Sequence, residues 1–108
     1  MPRNYALELK ELLLEVAKQG ASDLHLAVGR HPTLRLAREL LGLLKKPILT
    51  PEDTTGLIFA MLSEEEQKRL LTEWELDFSY NFEDKVRFRV NAYFEKGHMA
   101  AALRLVPL

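Results

Sequence analysis

The sequence predicts a mixed α/β (α+β) domain in which helices pack on an antiparallel sheet. Two periodicities and one kind of turn carry that prediction. Apolar residues recur at helical spacing near the start and in the middle of the chain, whereas the last third alternates apolar and polar residues with period two. The turns between the alternating runs are short enough only for hairpins, so those strands run antiparallel. At 108 residues the chain has material for one core, and residues 1–108 are read as a single domain.

The elements follow in order. Leu9, Leu12, Leu13, Val16 and Ala17 form the buried stripe of a first helix, Tyr5 to Gln19, with Asn4 as N-cap and Gly20 just past its end. Ser22 to Leu26 alternates as a strand that points Leu24 and Leu26 one way and Asp23 and His25 the other. Gly29 to Pro32 turns the chain, and Thr33 to Leu36 resumes the alternation. Arg38 to Lys46 fits a strand or a short helix on pattern alone. Thr50-Pro51-Glu52-Asp53 starts a second helix, with Ile58, Met61 and Leu62 inward. Ser63 and Glu66 form a capping box for a third, whose buried side is read as Leu70, Leu71 and Trp74. Three strands then form a meander. Leu76 to Phe82 turns at Asp84-Lys85 into Val86 to Glu95, which turns at Lys96-Gly97 into Met99 to Val106.

Composition excludes several kinds of chemistry. With no cysteine there is no disulfide, thiolate metal site or cysteine nucleophile. The glycines lie too far apart for a phosphate-cradling loop, and the histidines lack metal-ligand spacing. Neither a catalytic residue nor a metal ligand is assigned, so this stretch of sequence is not expected to be an enzyme by itself. A net charge of −1 argues against a nucleic-acid partner. The second and third helices resemble a DNA-binding pair in shape only, because Glu64, Glu65 and Glu66 would face phosphates. No apolar run approaches the ~20 residues of a membrane span, and the chain opens on a charged amphipathic stretch instead of a signal peptide. The expectation is a cytoplasmic protein that does not insert into membranes.

One face of the meander carries the candidate site. Strand parity places Arg87, Arg89 and Asn91 opposite the face of Val86, Phe88 and Val90. Closing the hairpin about Asp84 sets Ser79 across from Arg89 and Asp77 across from Asn91, with Asp77 diagonal to Arg89. The plainer reading is a solvated face with a cross-strand ion pair, worth about 0–1 kcal/mol. The other is a fork of donors awaiting a phosphate or carboxylate from elsewhere. Spacing alone leans to the first. His25 reads as a structural histidine, Asp23 as a turn or capping acid, and Trp74 as core.

Four collinear blocks resemble the N-terminal domain of the twitching-motility retraction ATPase (PilT) family of secretion ATPases. They are Gly20-Ala21-Ser22-Asp23-Leu24-His25-Leu26 with Gly29, Pro32 and Arg35; Leu49-Thr50 with Met61-Leu62-Ser63 and Gln67; Glu75-Leu76-Asp77-Phe78-Ser79-Tyr80; and Arg87-Phe88-Arg89-Val90-Asn91 with Gly97 and Ala102-Leu103-Arg104-Leu105-Val106-Pro107. The resemblance implies a PAS-like fold and a strand within Arg38 to Lys46. It further implies a hexameric, type IV pilus ATPase as parent, with ATP and Mg bound by a RecA-like domain that this sequence does not include. The N-terminal domain would pack on ATPase domains of its own and the neighbouring subunit, and Arg87, Arg89 and Arg104 would approach the nucleotide phosphates. That brings the two readings of the arginine face level. The chain departs from the family at Ala37-Arg38, where an Asp/Gly turn is usual, and at Glu95-Lys96, where Gln-Arg is common. The alternatives are a stand-alone PAS-like ligand-binding domain, which requires a sizeable apolar pocket, and a pure protein-interaction module.

Overall fold

The computed structural model describes residues 3–84 and 86–107. The predicted turn residue Lys85 lies outside them, as do Met1, Pro2 and Leu108. Helix α1 spans Tyr5–Gln19, with the Asn4 side chain accepting from the Leu7 backbone N–H and Gly20 closing it at φ 70. Strands β1 (Asp23–Leu26), β2 (Thr33–Leu36) and β3 (Glu39–Gly42) follow. Helices α2 (Pro51–Phe59) and α3 (Glu64–Glu73) precede the meander of β4 (Glu75–Phe82), β5 (Val86–Glu95) and β6 (His98–Pro107).

All six strands join one antiparallel sheet of order β3-β2-β1-β6-β5-β4. The crossover that sets β1 beside β6 matters most, because it joins the first quarter of the chain to the last strand. Leu24, Leu26, Leu34, Phe88, Val90, Ala92 and Leu103 point from the sheet into the core, where Leu9, Leu12, Leu13 and Val16 of α1 and Leu57 and Ile58 of α2 meet them. The helices take one side of the sheet and leave the other open.

The expected register holds. Ser79 pairs with Arg89 and Asp77 with Asn91. Lys96 and Gly97, at φ 53 and 81, form a two-residue hairpin of the type that matches strand twist. The stretch left ambiguous by pattern is strand β3 over Glu39–Gly42. Its hairpin with β2 closes through Ala37 at φ 55, a left-handed conformation that glycine adopts more readily than alanine.

The expected buried side of α3 is corrected. Leu70 is fully buried, but Leu71 is 53% and Trp74 62% exposed. Leu71 lies within α3, about 100° around the helix from Leu70 and away from the core, and for Trp74 the reason is the end of the helix. Trp74 is its cap residue at φ 64, and this left-handed step turns the chain into β4 and out of helical periodicity. Its ring lies over Phe94, with centroids 5.3 Å apart, at the margin of the core.

One buried polar cluster ties α1 to α2. The Asp53 carboxylate accepts from the Thr50 backbone N–H at 2.9 Å and the Tyr5 hydroxyl at 2.8 Å, and pairs with Arg3. Burial pushes this carboxyl up, but the donors outweigh burial and hold it at about 2. Burial, followed by the bond to Asp53, pushes the Tyr5 phenol up to about 12.

Candidate functional site

The open face is a mosaic set by strand parity. From β4 it takes Asp77, Ser79 and Asn81; from β5 Arg87, Arg89, Asn91 and Tyr93; from β6 Ala102, Arg104 and Val106; from β1 Asp23 and His25; and from β2 Arg35. Two adjoining shallow clefts of about 400 Å³ each run along it and share Asp77, Arg89 and Val90. One reaches Arg87 and Val106, the other Asp23, His25 and Arg104. The three arginines singled out in the sequence therefore line one continuous depression.

Their surroundings differ. Arg87 is exposed and its Nε donates to Asn81 Oδ1 at 3.2 Å. Arg89 is exposed and, among the described residues, forms no ion pair. The anticipated diagonal pair with Asp77 is absent among them, because Asp77 Oδ1 instead accepts from the Asn91 amide at 2.7 Å. That amide also reaches Glu75 at 3.2 Å, so the acids of β4 are occupied by a neutral donor. Arg104 is held by a carboxylate of its own chain, its Nε donating to Asp23 Oδ1 at 3.1 Å.

Asp23 is no turn or capping acid. It is a strand residue, 6% exposed, and Ser22 Oγ–H and Arg104 both donate to it while Arg35 Nε stands 3.9 Å away. Burial raises its pKa, but these donors outweigh burial and leave it below the ordinary carboxylate value. The alternation signal did place Asp23 on the polar side of its strand. It could not show that β1 lies beside β6, and so Arg104 was not visible as its partner.

The register sets Arg89 directly across from Arg104 on adjacent strands. Like charges so placed are unfavourable by a few tenths to about 1 kcal/mol. Bidentate guanidinium groups along a rigid ribbon can bind a phosphate or carboxylate through charge-assisted hydrogen bonds. Among the described residues no group of histidine, aspartate and glutamate has a metal-holding arrangement.

No protein-family model matches the chain. It is 34% identical over 101 residues to the type IV pilus retraction ATPase PilT of Pseudomonas aeruginosa, covering 94% of this chain and 29% of that protein. The type IV pilus ATPase PilU of the same organism is 25% identical over 100 residues, 26% of its length. In structure, the chain superposes on the pilus retraction motor PilT, solved with bound ADP, with TM-score 0.83 and 38% identity. That match covers 91% of this chain and 29% of the motor. The Legionella pneumophila ATPase DotB shares the fold at TM-score 0.78 and 23% identity, over 99% of this chain and 30% of its own. The chain thus spans less than a third of each of these relatives. Over nearly its whole length the chain is similar, in sequence and in fold, to the N-terminal domain of the retraction ATPase PilT.

Proposed function

We propose that this is the accessory N-terminal domain of a hexameric pilus-retraction ATPase, and that it carries no catalysis of its own. It packs on RecA-like ATPase domains of its own and the neighbouring subunit, which hold ATP and Mg, and sends Arg87, Arg89 and Arg104 toward the phosphates. The motor works on the pilus machinery from the cytoplasm, where its ATP is. One observation carries the reading: Arg89 and Arg104 oppose each other on a sheet face that no helix covers. Their mutual repulsion is offset once an anion from another domain lies between them. Arginines that follow a γ-phosphate couple nucleotide state to rigid-body motion of the domain that bears them.

The test joins this domain to its ATPase domain and reverses Arg87 and Arg89 to glutamate. ATP turnover should fall by at least about tenfold, and up to about a thousandfold, while the ring stays assembled. Loss of the ring instead would support a pure docking module. The ligand-sensor alternative fares worse. The hollow between Leu12, Pro32, Leu49 and Leu57, rimmed by Arg3, Glu8 and Lys46, is about 10 Å³, roughly the volume that admits a single water.

A further inference from the structure

We infer that Asp23 is a positioning residue: it holds Arg104 toward β1 and releases it to the polyphosphate chain of an arriving nucleotide. The inference rests on the arginine-face reading above. Register sets Asp23, Arg104 and Arg89 in one row across β1, β6 and β5. The Arg104 guanidinium therefore has a carboxylate on one side and another guanidinium on the other. In the free domain, attraction to Asp23 and repulsion from Arg89 act in the same direction, and Arg104 Nε lies 3.1 Å from Asp23 Oδ1. A polyphosphate bound at Arg89 reverses the repulsion and offers several charged oxygens in place of one carboxylate.

The two partners are unequal in freedom. The Asp23 side chain is 9% exposed and the Arg104 side chain 72%. Ser22 Oγ–H fixes the acid further, at 2.6 Å. The base is thus the member able to move. Removing the partner of a buried charge is ordinarily costly. Here Arg35, which pairs with Asp23 in the β1–β2 register and stands 3.9 Å from Oδ2, remains to balance it. The swing of Arg104 then leaves no stranded carboxylate.

The experiment is a titration of the purified chain with inorganic tripolyphosphate, followed by NMR at the arginine Nε–H groups and the β5 and β6 amides. Wild-type binding should be weak and should weaken further in Arg89→Gln. Asp23→Asn should tighten it about 3–5-fold, the scale of losing one exposed ion pair, with the Arg104 Nε–H responding at lower concentration. Asp23→Glu should restore wild-type affinity. A carboxylate that acted only through its charge would tighten binding without the Arg104 Nε–H responding at lower concentration, and so would not reproduce the second readout. If Arg89→Gln weakens binding but natively folded Asp23→Asn does not tighten it, the Asp23 role is overturned and the arginine face stands. If tripolyphosphate shifts Arg89 in none of the proteins, the arginine-face reading fails and takes the Asp23 role with it. Should Asp23→Asn not fold, Asp23→Ser decides by the same criterion: it also removes the carboxylate, so affinity must rise, and unchanged or weaker binding overturns the proposal.

Discussion

Asp53 is 3% exposed and holds together the N-termini of two helices, so its ionisation is a stability matter. Its folded pKa of about 2 lies below the ordinary 3.8, so the native state binds this proton less readily than the unfolded chain. The resulting stabilisation is fully present above pH 3.8 and is lost as pH falls through about 2. It amounts to about 2 kcal/mol. Urea denaturation at pH 7 and pH 2 should show that loss, and Asp53→Asn should be destabilised at pH 7 with a shallower acid limb. Trp74 supplies a second prediction of the same scale. A core tryptophan costs about 3–5 kcal/mol to truncate. Trp74 is instead 62% exposed at φ 64, so Trp74→Gly relieves backbone strain while losing the contact with Phe94. Its unfolding free energy should stay within about 1 kcal/mol of wild type. The helical spacing of Leu70 and Trp74 gave no warning, because periodicity counts residues and does not see where the backbone leaves the helix.

At the scale of elements, α1 and α2 approach so closely that Gly56 lies under the Tyr5 ring. A Cβ added at Gly56 would come within 2.2 Å of Tyr5 Cδ2. The ring cannot easily retreat, since its hydroxyl is bonded to Asp53. Gly56→Ala should therefore destabilise by about 1–3 kcal/mol, against the usual gain from replacing a helical glycine. A thermal melt would check it, with Tyr5→Ala in the same background restoring part of the loss. The helix starts, by contrast, were plain in the sequence. Asn4, Thr50 and Ser63 each accept from a backbone N–H of the first turn. Capping is a local interaction between residues three apart, so local sequence reveals it. Ser63→Ala should cost about 1 kcal/mol.

For the whole molecule, the open face is the feature that separates this sheet from one covered on both sides. Polar residues in alternation announced one uncovered face, and Arg87 and Arg89 were placed on it by parity alone. If that face meets an ATPase domain, a cysteine placed at Ser79, which lines the cleft beside Arg87 and Arg89, should be labelled severalfold more slowly in the assembled ring than in the isolated domain. Equal labelling rates would place the interface elsewhere.

The sequence by itself determined what depends on neighbours a few residues apart: the helix caps, the Lys96-Gly97 turn, the β4–β5 register and the parity that gathers the arginines. Only the tertiary structure decided what depends on strands distant in the chain. The β1–β6 pairing places a buried Asp23 against Arg104, 81 residues later. No local periodicity encodes that meeting, because it follows from how the whole sheet closes over its core, and it makes one arginine of the face held and another free of ion pairs among the described residues.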